Sequence, residues 1–213
     1  MNNIFKTNIF KIISTILLLF CLSNTIAQNF DIDLLRDINL NRNKSLDPTF
    51  RAITNSALPI SIATPIIIYS VGLIKKDGTV KRKAVFIAET VLVSGFISAV
   101  LKYSVNKDRP YVTYPDIEQA ISATGPSFPS GHTSAAFATA TSLSIAFPKW
   151  YVIAPSFVWA GAVGYSRMDL GVHYPSDVLV GAIVGSGSAY LTYKLNKWIN
   201  NKKQKNILFD GTN

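Results

Sequence analysis

The sequence predicts an all-α bundle of helices that crosses a membrane several times, and three observations carry that reading. Of the 213 residues 48% are hydrophobic and only 15% are charged, which is lean in charge for a soluble domain. The apolar residues gather into stretches at 52–74, 84–101, 134–147 with 150–165, and 178–195, and the first two are long enough to span a bilayer, which needs about 20 apolar residues. The third observation is how charge is distributed. The connection 75–83 carries five cations and one acid, and the tail from Lys194 carries five lysines and one aspartate. The stretch 102–133 carries three of each sign, and 166–177 one cation and two acids. Basic and near-neutral connections alternate, as they do when the basic ones face the cytoplasm. The middle apolar runs are short and rich in Ala, Ser and Thr, so hydropathy alone would fit a buried soluble bundle; the charge register decides for the membrane.

Residues 1–27 read as an export signal or as a first membrane helix. Lys6 and Lys11 precede the apolar run Ile12–Leu22, and Thr25-Ile26-Ala27 ends on a small residue before Gln28. Either reading delivers Gln28 to the outside. The only cysteine, Cys21, lies in this run, so a chain cleaved after Ala27 has neither a disulfide framework nor a cysteine metal site. Residues 28–51 are charge-balanced. Ile32, Leu35 and Ile38 recur at helical spacing, which predicts a short amphipathic helix on the membrane surface or against the core. No chemical role follows for it from sequence. The remainder, 28–213, reads as one domain with five further membrane-associated helices and two outward loops, 102–133 and 166–177. The net charge of +9 does not point to nucleic acid, because the basic residues are not interleaved with aromatics.

Polar chemistry concentrates in those two loops. Lys102 and Arg109 are seven residues apart, about two helical turns, so a continuing helix would place both on one face; Pro110 would then mark its end. The same loop closes on Pro126-Ser-Phe-Pro-Ser-Gly-His-Thr-Ser134. Pro129 before a run of small residues predicts a helix start whose exposed N–H groups, at Ser130 and Gly131, suit an oxyanion. Gly131 has no side chain to obstruct a ligand, and His132 falls in the first turn. Taken alone, Ser-Gly-His also fits a helix capped by Ser130. The second loop, Ser166-Arg-Met-Asp-Leu-Gly-Val-His-Tyr-Pro-Ser-Asp177, holds Arg167, His173 and Asp177. Pro175 suits the first position of a helix, which puts Asp177 in its first turn and His173 just before it. A carboxylate there would fix the imidazole tautomer and free the other nitrogen as base or nucleophile.

In chain order these stretches read Lys-x6-Arg-Pro, Pro-Ser-Gly-His and Ser-Arg-x5-His-x3-Asp. That three-part pattern resembles, residue for residue, the signature of the type 2 phosphatidic acid phosphatase family, to which the vanadium haloperoxidases also belong. The resemblance implies a helical bundle of the acid phosphatase/vanadium haloperoxidase type and a metal-independent phosphatase working through a phosphohistidine. The chemistry of the residues agrees with it. A phosphate ester needs its charge neutralised, an in-line nucleophile and a proton for the leaving oxygen. Lys102, Arg109 and Arg167 supply cations, Ser130 and Gly131 supply amides, His173 oriented by Asp177 supplies the nucleophile, and His132 the acid.

No Asp/Glu/His cluster has metal-ligand spacing, so no cofactor is expected. The expected setting is a bacterial inner membrane, with the site facing the periplasm or cell exterior and a lipid phosphate or diphosphate as substrate. Two other readings stay open: a vanadate-dependent haloperoxidase, and a non-catalytic protein that binds or transports phospholipid. Loop 111–128 is the candidate reader of the head group, though the lipid itself and the oligomeric state are not encoded in any motif. Glu89, inside the second apolar run, is set aside as a partner for the basic 75–83 loop.

Overall fold

A computed structural model describes residues 30–210, with backbone alone over 202–210; the expected signal or first membrane helix at 1–27, with Cys21, lies outside the described residues. Helix α1 covers 30–40. A 3-10 turn at Lys44–Leu46 leads into α2 (Asp47–Asn55) and α3 (Ala57–Ile74). Then come α4 (Gly78–Val105), the single turn α5 (Pro110–Thr113), α6 (Gly131–Ala146), α7 (Trp150–Asp169) and α8 (Pro175–Asp210). No strand occurs among the described residues. Three segments, Lys44–Ile74, Gly78–Thr113 and Pro175–Asn201, are long and apolar enough to cross a membrane. The chain is an all-α membrane bundle.

The outer helices show how a sequence makes such a bundle. In α4 the buried residues Ala84, Ile87, Thr90, Ser94 and Ser98 recur every three or four positions, which forms one stripe. The opposite face shows Leu92, Phe96, Val100 and Tyr103 outward. Small and hydroxylated residues face inward and large apolar ones outward, the reverse of a soluble helix. Lipid is as apolar as leucine, so helices in a membrane gain from close backbone approach and from hydrogen bonds between them.

Helix α6 is the axis of the bundle, packed by α3, α4, α7 and α8. It can be so because 11 of its 16 residues are Ala, Ser or Thr, with Ala136, Ala138, Ala140, Thr139 and Ser142 fully buried. Its neighbours are stitched to it by hydroxyls: Ser61 Oγ donates to Ala135 O at 3.2 Å, Ser94 Oγ to Ser134 O at 3.3 Å, and Ser134 Oγ to Gly181 O at 3.1 Å. Helix α8 approaches through Gly181 and Gly185. A Cβ on Gly181 would lie 2.8 Å from Ser130 O, and one on Gly185 would overlap Ser134 O. This contact presses the start of α8 against the start of α6, and those two helix starts carry the candidate site.

Helix α1 is amphipathic as expected, but its apolar face is not given to the membrane. Ile32 and Leu35 pack with Ile117 and Tyr174, flanked by Tyr111, Tyr114 and Met168. Its polar side chains tie it to the loops. Arg36 Nε donates to Asp116 at 2.8 Å, and Asn39 Nδ2 donates to Glu118 O at 3.1 Å and to Asp169 O at 2.8 Å. Gly171 completes this seam: its φ of +73° is left-handed, and a Cβ there would overlap Glu118 O.

Candidate active site

The end of α4, the start of α6, the end of α7 and the start of α8 converge at one end of the bundle. The basic 75–83 connection, between α3 and α4, lies at the other. Lys102 sits in the last turn of α4. The helix does not continue to Arg109: it stops at Val105, where Asn106 takes a left-handed conformation (φ 49°) and its N–H donates back to Lys102 O. Asn tolerates this conformation better than most residues. Pro110 opens the short helix α5 rather than closing α4, so the shared helical face expected for Lys102 and Arg109 is not formed. The two cations nonetheless meet, because the backbone turns Arg109 back over the site.

They meet at a cavity of about 290 Å³ lined by Lys102, Arg109, Gly131, His132, Arg167 and His173, with Asn55 and the loop 121–124 as further walls. Arg109 and Arg167 are only 7% and 3% exposed. Among the described residues no carboxylate forms an ion pair with either guanidinium or with Lys102. Buried charge is normally paired, and here three cations face one another instead. Arg167 Nη1 donates to Thr54 Oγ1 at 2.8 Å while its Nε has no partner among the described residues. Lys102 Nζ donates to Pro126 O.

Arg109 does more than line the cavity. Its Nε donates to Gly125 O at 3.0 Å, Nη2 to Thr124 O at 2.8 Å and Nη1 to Val172 O at 2.8 Å. Thus one guanidinium holds the wall loop 121–125 against the 170–174 connection between α7 and α8. Its Nη1 also lies 3.3 Å from His173 Nε2.

His173 is 2% exposed and Asp177 is fully buried. The helix start at Pro175 is as expected, and it brings Asp177 Oδ2 to 3.5 Å from His173 Nδ1. That is long for a hydrogen bond, because Oδ2 already accepts from Ser127 Oγ at 2.5 Å and from the Tyr174 N–H at 3.1 Å. Ser127 Oγ is itself 3.4 Å from Nδ1. Nδ1 therefore faces the carboxylate side and Nε2 faces the cations. Burial drives the His173 imidazole down from its ordinary value to about 3, with Arg167 and Arg109 pushing the same way and Asp177 opposing. Neutral in the ordinary pH range, it keeps a lone pair on Nε2.

The amide donors need one correction. Ser130 caps α6, its Oγ 2.8 Å from Thr133 Oγ1, and its own N–H donates to Asp177 O at 3.0 Å. The Ser130 amide is thus committed to holding α6 against α8 and is not free for an anion. Gly131 opens directly on the cavity, and a Cβ there would meet nothing within 4 Å. His132, one residue further, lines the same cavity as His173.

Sequence reasoning missed Asn55, Ser127 and Lys107. Asn55 arrives from the end of α2, and Ser127 meets Asp177 across 50 residues. No local pattern marks either one. Glu89 also differs from expectation: its Oε2 accepts from Asn196 Nδ2 of α8 at 2.6 Å, and among the described residues it has no ion pair with the basic loop.

A family model described as the PAP2 superfamily matches residues 83–201, more than half of the chain. The chain belongs to the PAP2 superfamily. Two curated relatives are an undecaprenyl-diphosphatase of Sulfolobus acidocaldarius and a lipid A 1-phosphatase of Rhizobium etli. The first is 33% identical over 111 residues, covering 50% of this chain and 53% of the relative. The second is 30% identical over 113 residues, covering 50% and 47%. The chain thus spans about half the length of the curated relatives it matches. Among solved structures, LpxE of Aquifex aeolicus superposes with a TM-score of 0.69 at 28% identity, over 78% of this chain and 95% of that one. The transmembrane PAP2 type phosphatidylglycerolphosphate phosphatase of Bacillus subtilis shares the fold, with a TM-score of 0.66 at 24% identity, over 88% and 96%. The PAP2 match begins at residue 83, so α1, α2, α3 and the wall residue Asn55 lie outside it.

Proposed function

We propose that this PAP2 chain is a membrane phosphatase that hydrolyses a lipid phosphate or lipid diphosphate through a phosphohistidine on His173, at the face of the membrane away from the cytoplasm. One observation carries the reading: half-buried Lys102 and buried Arg109 and Arg167, with no carboxylate ion pair among the described residues, surround a cavity that both histidines of the chain line. Only an anion with several oxygens satisfies three cations in a space of 290 Å³. The relatives named as lipid phosphatases fit a phosphate on a lipid.

The steps follow from the geometry. Lys102, Arg109 and Arg167 neutralise the phosphoryl oxygens, and the open start of α6 at Gly131 adds the positive end of a helix. His173 Nε2 attacks phosphorus and the bond to the leaving oxygen breaks. The ring becomes cationic while Asp177 accepts at Nδ1–H and stabilises the charge. Burial, with Arg167, Arg109 and Lys102, holds the His132 imidazole down at about 4. The negative charge of the bound phosphate offsets those cations and lets His132 take up a proton, which it gives to the leaving alcohol or phosphate before taking one from the water that cleaves the N–P bond. His173 is released neutral and inorganic phosphate leaves. Alternating basic and neutral connections support the outward orientation, since the site lies at the near-neutral end. No step calls for a metal.

Purified protein assayed with chelator present, across a panel of undecaprenyl diphosphate, phosphatidylglycerol phosphate, phosphatidate and lipid A, is expected to release inorganic phosphate from at least one of them. Binding of these lipids without release would support the non-catalytic reading, and vanadate-dependent oxidation of bromide would support the haloperoxidase.

A further inference from the structure

Lys107 lies outside the phosphate cavity, yet it holds the residue that aims the nucleophile. Its Nζ is 3.0 Å from Asp177 Oδ1, 3.2 Å from Ser176 Oγ and 3.6 Å from Asp31 Oδ2. It also lies 3.9 Å from the centroid of the Tyr174 ring. Asp31, on α1, accepts from the Ser176 N–H at 2.7 Å and from Ser176 Oγ at 2.5 Å. Helix α1 is itself anchored by Arg36 and Asn39 to the 116–118 loop and to Asp169 O. We propose that Lys107, held by Asp31 of the N-terminal helix, is a positioning residue for catalysis: it fixes the Asp177 carboxylate that orients His173. This rests on the reading of His173 as nucleophile.

Asp177 has two oxygens and both are assigned. Oδ2 takes Ser127 Oγ and the Tyr174 N–H and faces His173 Nδ1. Oδ1 takes Lys107 Nζ, the only cation to form an ion pair with Asp177 among the described residues. Asp177 is fully buried, and a carboxylate in that position left without its cation either takes up a proton or turns toward another donor. Either change removes the acceptor that keeps the proton on Nδ1 and the lone pair on Nε2. The charged and titratable groups facing the carboxylate are Lys107 and Asp31 from the α4–α5 loop and α1, and His173 and Tyr174 from the 170–174 connection. Lys102 and Arg109 face it from the α4 end. Lys107 is the closest cation, so its removal should be felt most. Asp31 acts one step further out, by holding the ammonium and capping the start of α8 through the Ser176 N–H. The segment 30–40, for which sequence offered no chemistry, thereby gains a role in the site.

The test is single-turnover phosphoenzyme formation, followed against pH and substrate concentration, in wild type, Lys107→Met, Lys107→Arg and Asp31→Asn. Lys107→Met is expected to slow formation by about tenfold, in line with loss of an outer partner that orients a working histidine. Its KM should be unchanged, because Lys107 does not line the phosphate cavity. Its acid limb should move up by about one pH unit, the effect of removing an opposite charge beside a carboxylate. Lys107→Arg should restore both rate and limb, and Asp31→Asn, which loosens the hold on the ammonium but also removes a like charge, should slow formation by less and move the limb by less. A Lys107→Met protein that unfolds would leave Asp31→Asn and Lys107→Arg to decide. Unchanged rate and acid limb in Asp31→Asn, with Lys107→Met either equally silent or raising KM instead, would overturn the positioning role while wild type still traps phosphate on His173. If wild type traps none there, the nucleophile assignment falls, and the role of Lys107 falls with it.

Discussion

The two ends of the bundle both carry clustered cations, and they differ in what surrounds them. At the 75–83 end, Lys75, Lys76 and Arg82 are exposed. Asp77 caps α4 through the Thr79 and Val80 amides, and Lys83 rests over the Phe147 ring. Water and head groups can solvate such charges at little cost. At the other end Arg109 and Arg167 are buried, form no carboxylate ion pair among the described residues and converge on one cavity. Counting charges by sequence window ranks the first end as the more basic. Only burial separates a cluster that water and head groups can solvate from one whose charges are left without a counter-charge among the described residues.

Substitutions can sharpen this contrast. The largest effect is expected from His173→Ala, which should abolish turnover of every substrate with the protein still folded in detergent, as seen by unchanged thermal unfolding. Next is His132→Ala, with a loss of roughly 10²–10⁴-fold for an alkyl phosphate, typical of a general acid, and far less for an aryl phosphate whose phenol needs no proton. Equal losses for the two esters would make His132 a binding residue. Arg167→Met should lower kcat by about 10²–10³-fold, as for removal of a donor aimed at developing charge. It should also abolish the rise in unfolding temperature that inorganic phosphate or vanadate gives the wild type. The smallest effect belongs to the opposite end. Arg82→Gln with Lys76→Gln should change phosphate release by less than about twofold, and would show itself, if at all, in reporter fusions that read membrane orientation.

Much of the fold was legible because its signals are local. The apolar runs, the prolines at 129 and 175 and the alternating loop charges placed α3, α4, α6, α7 and α8 close to where they lie. That Lys102, Arg109, Gly131, His132, Arg167 and His173 would share one cavity was legible because their motifs lie in short stretches on two connections of one end. What stayed hidden depends on distance along the chain. The break at Asn106 replaced a helix that spacing alone would have continued, because a left-handed cap has no periodic signal. The Ser130 amide looked free until α8, pressed in by Gly181 and Gly185, brought Asp177 O to it. Lys107 read as one more loop cation, since its partners Asp177 and Asp31 come from residues 70 and 76 positions away. Sequence left open whether the apolar face of α1 meets the membrane or the core, because Ile117 and Tyr174, which cover it, are far from it in sequence.

The central claim is that His173 Nε2 takes the phosphoryl group. Rapid quench of the enzyme with a ³²P-labelled lipid phosphate, under conditions that preserve N–P bonds, tests it directly. The expected result is acid-labile, alkali-stable label on the peptide containing His173, formed and lost at rates that match turnover and absent from His173→Ala. Label on His132, or turnover at the wild-type rate with no labelled intermediate in His173→Ala, would contradict it.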